Sequence, residues 1–268
     1  MRITVLLVLL LSVFTIHAQH LSNGEDILFA FEVKQLDEFI ERFNNEETLI
    51  KKYVQNTQSG AVISRTSMLK SLINQGDTTW DIHLISQFIH DIDTRQEPVH
   101  LNFLDPEWYA EVHCTVNHQN VDQKVTLIMK VENGNDKSSR WVIANAMGNF
   151  LQLPDKTDEK TFLNPVSQGT DFLGLDKALA DKKNIRNYLP KNYKEDQLAV
   201  FLDHWKNGKI QFRQVDRVIY HFLQVDGWIF KVQNFQRKER NKGWLISALS
   251  KATPSQKREY KKAILQLN

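Results

Sequence analysis

Cysteine, glycine and proline are scarce in this chain, and neither sign of charge is in excess. The 268 residues include one Cys, 10 Gly and 6 Pro, with 34 Lys and Arg against 32 Asp and Glu. A single cysteine excludes a disulfide framework, and so little glycine and proline excludes collagen and long flexible linkers. A net charge of +2 argues against a nucleic-acid binder that works by neutralising phosphates. The remaining composition is typical of globular proteins, and the length predicts one or two domains.

One apolar run is long, and it lies at the N-terminus. Arg2 precedes an apolar run over residues 3–16, and Ala18 precedes a polar residue. This pattern predicts a secretory signal peptide over residues 1–18, cleaved after Ala18. An uncleaved N-terminal anchor is the alternative, although the run is shorter than the roughly 20 residues of a transmembrane helix. We therefore expect an exported protein, periplasmic or secreted, with no transmembrane segment in the mature chain.

Two segments of the chain repeat one pattern. Residues 130–133 (KVEN) recur as 231–234 (KVQN), and Trp141 recurs as Trp244, at offsets of 101 and 103 residues. Asp226-Gly227 predicts a tight hairpin in the second copy. Around these positions, apolar and polar residues alternate with the period of a strand, over residues 108–116, 124–131, 217–222 and 228–233. Each copy is therefore predicted to end in a three-stranded antiparallel meander.

Helical patterns precede each meander, and a polar stretch separates the two copies. Apolar residues predict helices over residues 36–43, 68–73, 82–92, 172–179 and 198–205, and residues 255–266 are interpreted as a basic terminal helix. The stretch 154–169 lacks periodicity and reads as a linker between a first domain, 19–153, and a second domain, 170–268. The predicted fold class is α+β, with two similar domains, each made of helices packed on a curved antiparallel β-meander.

The order of these elements resembles the NTF2-like (cystatin-like) superfamily, here as a tandem pair. Residues 36–44, 108–110 and 162–167 also resemble phrases of exported proteins from Bacteroidetes-type bacteria. These phrases are of core and loop type, without a catalytic signature. The resemblance implies a cone-shaped pocket between helices and sheet, in a fold that carries isomerases, dehydratases, ligand binders and partner-docking modules alike.

The common catalytic, nucleotide and metal motifs are absent from the sequence. It has no G-x-G-x-x-G, G-x-x-x-x-G-K-[ST], G-x-S-x-G or H-E-x-x-H pattern. His83 and His90 stand seven residues apart, about 10 Å along a helix, which is too far to share one ion. We interpret them, with Asp91 and Asp93, as the polar flank of an amphipathic helix. Neither a metal nor a cofactor is expected.

Glu111 and His113 form the one concrete pair for catalysis. They lie two apart on a predicted strand, so they share a face, together with Tyr109. A carboxylate and an imidazole about 7 Å apart are able to act as general acid and base. If the apolar face packs on helices, however, this pair points away from the pocket, so an exposed polar face is the favoured interpretation. Cys114, on the opposite face, is interpreted as a small buried residue and not as a nucleophile.

The tryptophans provide the basis for a binding interpretation. Trp141 and Trp244 occupy matched repeat positions, which indicates core anchors. Trp80 and Trp108 lie near segment ends, where they are candidates for a pocket mouth or a partner surface.

Three functions remain open on the sequence alone. The favoured one is an exported, non-enzymatic binding module for a small ligand, a glycan or an envelope protein, with Tyr109, Trp80 and Trp108 as candidate ligand-binding residues. The first alternative is a pocket enzyme of the isomerase, dehydratase or hydrolase type that uses Glu111 and His113. The second alternative is a structural or assembly partner that presents Ile128, Ile219 and Ile229 from the outer sheet faces.

Overall fold

The computed structural model describes residues 28–29, 31–57, 63–93, 97–134, 138–152, 195–238 and 240–267, with isolated positions between 175 and 193. The predicted signal peptide, the predicted linker and all but one residue of the predicted helix at 172–179 lie outside the described residues. No statement below concerns them.

The fold class is α+β, as predicted. Within the described residues there are six α-helices and an open, antiparallel sheet of six strands in the order β3-β2-β1-β4-β5-β6. The helices are α1 (Leu36–Phe43), α2 (Thr48–Thr57), α3 (Arg65–Ser71), α4 (Ile82–Asp93), α5 (Gln197–Lys206) and α6 (Pro254–Ala263). The strands are β1 (Trp108–His118), β2 (Val121–Asn133), β3 (Ser139–Met147), β4 (Ile210–Phe222), β5 (Trp228–Phe235) and β6 (Gly243–Lys251).

Five of these helices and all of these strands coincide with predicted elements. Helix α5 ends before Gly208, whose φ of +66° suits a glycine at a helix C-terminus, and Gly227 in the predicted hairpin has a φ of +79°. Helix α2 was not predicted. None of the helices in the described part of the chain is both long and apolar enough to cross a membrane.

The chain forms two compact units, each discontinuous in sequence. The first unit combines the residues up to Glu107 with Tyr220–Lys257, and the second combines Trp108–Ile219 with Arg258–Asn268. The division therefore falls inside β4 and does not coincide with the predicted ranges 19–153 and 170–268. Those ranges stay a prediction, since the linker between them is not described.

The core of the first unit is aromatic. Phe43 of α1 stacks on Phe230 of β5, with ring centroids 5.9 Å apart, and Phe88 of α4 meets Trp228 edge to face at 5.2 Å. All four side chains are buried. Offset and edge-to-face aromatic pairs add to the stabilisation from burial, by about 0.5–1.5 kcal/mol each. Helices from the first half of the chain thus pack on strands from the second half.

In the core of the second unit, a helix from the second half of the chain packs on strands from the first half. Phe201 of α5 is fully buried in a cluster with Cys114 and Val116 of β1, Leu127 of β2 and Ala146 of β3. A helix from the second half of the chain therefore packs on the first meander. This crossed packing differs from the expectation that each meander is covered by the helices that precede it.

The two meanders share one irregularity. Between β2 and β3 the pairing moves from Ile128–Asn145 to Met129–Ile143, which leaves Ala144 as a bulge. Between β5 and β6 the pairing moves in the same way and leaves Ser247 unpaired. Each bulged residue is the third after the repeated tryptophan. The cross-strand register therefore relates β2 to β5, and β3 to β6, by the same offset of 103 residues. The matching letters KVEN and KVQN instead suggest an offset of 101 residues between β2 and β5.

Candidate functional site

The loop between α3 and α4 carries the predicted binding residue Trp80. Helix α3 ends at Ser71, with Leu72 as its C-cap. The backbone that follows the helix pairs with Ile246 of β6, through Ile246 N to Leu72 O (2.7 Å) and Asn74 N to Ile246 O (3.0 Å). The Nε1 of Trp80 donates to the Asn74 carbonyl at 2.7 Å. The half-buried indole is therefore held in one orientation.

Buried Asn241 fixes the same loop from a second side. Its Oδ1 accepts from the Gln75 amide and its Nδ2 donates to the Ser71 carbonyl, both at 2.8 Å. The guanidinium of Arg237 donates to Asn74 Oδ1. With these bonds made, the loop is ordered before any ligand arrives, which lowers the entropic cost of binding.

Helix α4 presents one stripe of side chains beside this loop. Asp81 precedes the helix and caps its N-terminus, since its Oδ1 accepts from the backbone N–H of His83 at 2.9 Å. Positions i, i+3, i+4, i+7, i+8 and i+11 then lie on one side, as Ile82, Ile85, Ser86, Ile89, His90 and Asp93. At the far end of the stripe, the Thr66 hydroxyl of α3 donates to Asp93 Oδ2 at 2.6 Å.

These elements enclose a cleft of about 690 Å³ within the first unit. We call it the α3–α4 cleft. Its lining combines isoleucine and aromatic side chains with a few polar groups: Phe29, Thr66, Lys70, Ile73, Gln75, Asp77, Trp80, Ile82, Ile85, Ser86, Ile89, His90 and Asp93. This volume and this mixture are those of small-molecule sites, which range from about 300 to 1,000 Å³. Trp80 is part of this lining, and its role in binding a ligand stays a prediction.

A second cleft, of about 480 Å³, lies in the second unit and is polar. Amide side chains dominate its lining, which consists of Asp122, Gln123, Lys124, Met147, Gly148, Asn149, Gln152, Gln197 and Gln266. It offers a ligand hydrogen bonds but little apolar surface, and apolar burial supplies most of the affinity in small-molecule sites.

The structure brings Glu111 and His113 together, outside both clefts. Glu111 Oε1 lies 2.9 Å from His113 Nε2, and the two side chains are 20% and 28% exposed. The Arg217 guanidinium lies 3.3 Å from the same ring nitrogen. Arginine can only donate hydrogen bonds. Nε2 of His113 therefore donates to Glu111 when it carries a proton and accepts from Arg217 when it does not, so only one of the two hydrogen bonds forms at a time. His113 Nδ1 lies 3.2 Å from the Thr126 hydroxyl, so both ring nitrogens have protein neighbours.

The same sheet face continues as a polar network. The Thr115 hydroxyl, the Lys124 ammonium and the Gln214 amide donate to the Asp216 carboxylate, at 2.7, 2.9 and 2.7 Å. These hydrogen bonds hold the pKa of Asp216 well below its usual range. On the opposite face, burial raises the pKa of the Cys114 thiol to about 11, so the sulfur stays protonated at neutral pH. This agrees with its interpretation as a small buried residue.

Several aromatic and apolar residues lie elsewhere than predicted. Trp108, a candidate for a pocket mouth, is only 2% exposed, and Tyr109 is 5% exposed. Trp141, predicted as a core anchor, is 40% exposed, with its ring edge-to-face against Trp108 at 4.6 Å. Matched repeat positions do not guarantee equal burial: β3 and β6 are both edge strands of the described sheet, but the Val33 and Ile73 segments form bridges to β6 beside Trp244.

The proposed contact residues of the outer sheet faces are also buried. Ile128, Ile219 and Ile229 are 0%, 7% and 4% exposed. The prediction that they present a free apolar surface is therefore wrong. Period-two alternation identifies two faces but does not tell which of them stays open. The exposed apolar residues of the second unit include Leu202 and Trp205 on α5 and Phe212 on β4.

The two histidines of α4, His83 and His90, lie in different surroundings. His90 lines the α3–α4 cleft, while His83 is exposed and Asp91 accepts from the Trp228 indole at 3.1 Å. In the described part of the chain, no group of three or more His, Cys, Asp or Glu side chains is placed to hold a metal ion. Comparison with known protein families, with curated proteins and with solved structures finds no match.

Proposed function

We propose that this protein is an exported, non-enzymatic binding module whose α3–α4 cleft holds a small ligand with an apolar body. The observation that carries the proposal is the cleft itself, with a volume of about 690 Å³ and an apolar lining that includes Ile73, Ile89 and Trp80. The buried support from Asn241 adds to it, since a pre-ordered wall is a feature of binding sites. Export rests on the signal-peptide pattern over residues 1–18.

The enzyme alternative has less support. Glu111 and His113 touch each other, but neither of the two clefts is lined by them. A general acid or base must reach the proton that it transfers in a bound substrate. Neither of these two clefts therefore brings a bound substrate to the pair.

The duplicated origin of the two meanders also belongs to this proposal. The bulges at Ala144 and Ser247, each three residues after a matched tryptophan, support a duplication. Descent of the two meanders from a parent domain of the NTF2-like type stays a prediction.

The test is a thermal-shift screen of the mature chain, Gln19 to Asn268, against small amphiphiles, glycans and metabolites. A ligand at 100 times its dissociation constant stabilises the protein by about 2.7 kcal/mol, which raises the melting temperature by roughly 5–10 °C. Ser86 lines the cleft and is exposed, so Ser86→Trp should fill it and remove the shift. Its neighbour Gln87 is exposed outside the cleft, and Gln87→Trp should keep the shift.

Either of two results contradicts the proposal. A ligand that shifts the Ser86→Trp variant as much as the wild type binds elsewhere. If the protein turns over a ligand, and this turnover is lost in Glu111→Gln but kept in Ser86→Trp, the enzyme alternative is established.

A further inference from the structure

We propose that the α3–α4 cleft selects ligands with a single anionic head group, a carboxylate or sulfonate, which pairs with Lys70. This inference rests on the proposed function and adds the charge of the ligand to it. Besides His90, three acidic or basic side chains line the cleft: Lys70, Asp77 and Asp93. Which of them a ligand meets depends on which still lacks a partner.

The two acidic residues already have partners. Asp93 accepts from the Thr66 hydroxyl at 2.6 Å and lies 3.9 Å from the guanidinium of buried Arg65. Asp77 Oδ1 accepts from the backbone N–H and the hydroxyl of Thr79, at 2.9 and 2.6 Å. Both carboxylates are thus engaged in local structure, which leaves less of their hydrogen-bonding capacity for a ligand cation.

Lys70 differs from these acids. It lies in the last turn of α3 and is exposed, and within the part of the chain that the structure describes its ammonium makes no ion pair or hydrogen bond. Its aliphatic stem leads from the apolar lining to water, as lysines do at the rims of apolar surfaces. An anion at the rim gains a charge-assisted hydrogen bond there, without displacing any partner.

The apolar body of such a ligand has its own place in the cleft. Ile73, Ile85 and Ile89 are buried, and Ile82 is 65% exposed, so the isoleucines provide apolar contact from the interior to the surface. Trp80 supplies a fixed aromatic face beside them. An alkyl or aryl chain with one terminal anion matches this combination of apolar lining and one unpaired cation.

The experiment uses three probes that share one chain and differ in the head group. Decanoate, decylammonium and 1-decanol are titrated into the mature protein below their micellar concentrations, and dissociation constants are measured by calorimetry. The wild type is expected to bind decanoate about tenfold more tightly than decylammonium. Lys70→Gln should weaken decanoate binding about tenfold and leave decanol binding unchanged.

The controls separate charge, place and stability. Lys52, exposed on α2 outside the cleft, provides the matched variant Lys52→Gln, which should keep the wild-type preference. Lys70→Glu should reverse the preference in favour of decylammonium. Because Lys70 is exposed, both Lys70 variants should melt within a few degrees of the wild type.

The outcomes distinguish the two proposals. If all three probes bind the wild type equally and Ser86→Trp blocks them, the cleft binds ligands but the assignment of an anionic head is overturned. If the decanoate preference survives in Lys70→Gln, Lys70 is not the anion partner, and the inference is again overturned. If none of the probes binds and no other amphiphile does so in the thermal-shift screen, the proposed function fails with it.

Discussion

At the scale of single residues, two stacked histidines in the second unit each carry a buried ring nitrogen without a hydrogen bond to the described residues. The rings of His118 and His204 lie 4.9 Å apart, centroid to centroid, with an angle of 11° between their planes. His118 Nε2 and His204 Nδ1 are buried and have no hydrogen-bond partner among the described residues. Burial lowers the pKa of His204, and the neighbouring His118 and Lys209 lower it further, while Asp203 opposes them.

This arrangement predicts a loss of stability in mild acid. Because the folded pKa of His204 lies below the unfolded value of about 6.5, the unfolded chain binds a proton first as the pH falls. The contribution of His204 is therefore complete above about pH 6.5 and is lost as the pH falls to the folded pKa, with no further change below it. Guanidinium unfolding should show a smaller dependence on pH in His204→Leu than in the wild type, between about pH 7.5 and 5. His83→Leu, at an exposed position, should keep the wild-type slope; equal slopes in all three proteins would disprove the prediction.

Two glycines with similar backbone conformations allow the cost of a left-handed backbone to be distinguished from the cost of steric overlap. Gly208 and Gly243 have φ values of +66° and +90°. A Cβ at Gly208 meets nothing within 4 Å, whereas a Cβ at Gly243 would overlap the backbone of Val33. The Val33 N–H donates to the Lys242 carbonyl at 3.1 Å and its carbonyl accepts from the Trp244 N–H at 2.8 Å, so this backbone has little freedom to move.

The expected result is a large difference between two chemically identical substitutions. Gly208→Ala should lower the free energy of unfolding by about 1 kcal/mol, which is the cost of a left-handed backbone for an L-residue. Gly243→Ala adds the overlap with Val33 and should cost at least about 3 kcal/mol. Equal losses in urea unfolding would mean that the Val33 segment does not occupy the position described beside β6.

At the scale of secondary structure elements, the sequence predicted most helices and strands because their apolar residues repeat with a clear period. Helix α1 was predicted because Leu36, Phe39 and Phe43 keep one stripe. Helix α2 was missed because Leu49 is 77% exposed and only Ile50 and Val54 are buried, so its stripe is too narrow to recognise.

The candidate site was predicted only in part, for a related reason. Trp80 was recognised from its position near a segment end, although the same reasoning placed the buried Trp108 at a pocket mouth. His90 and Asp93 were interpreted as a polar flank of α4, which they would be if α3 were not placed beside them, and Ser86 was not recognised. Residues of one helix indicate a polar flank; a cleft exists only once a second helix faces that flank.

The α3–α4 cleft also depends on an element far away in the chain. Asn241 lies 166 residues beyond Gln75 and 170 beyond Ser71, to both of which it is hydrogen-bonded. Such a residue has no periodic pattern that reveals it. Its side chain was therefore not predictable from local sequence, although it holds the wall of the proposed site.

At the scale of the whole molecule, the packing of each unit crosses the middle of the sequence. In the first unit, Phe43 and Phe88 from the first half contact Phe230 and Trp228 from the second half. In the second unit, Phe201 packs on the strands of the first meander. The amphipathic pattern of a helix indicates that it needs a sheet but does not say which sheet, so this pairing could not be read from the sequence.

The crossed packing predicts that the two halves of the chain depend on each other. Residues 19–155 contain α1–α4 and β1–β3, and residues 160–268 contain α5, α6 and β4–β6. Expressed alone, each fragment would expose aromatic side chains whose partners lie in the other fragment, and large exposed apolar surfaces promote aggregation. We expect each fragment alone to be insoluble or to unfold without cooperativity, and co-expression of the two to restore a complex with cooperative melting. Near-ultraviolet circular dichroism of the purified fragments and of the complex measures this directly. If each fragment melts cooperatively by itself, the division into domains 19–153 and 170–268 is correct and the crossed packing is not needed for folding.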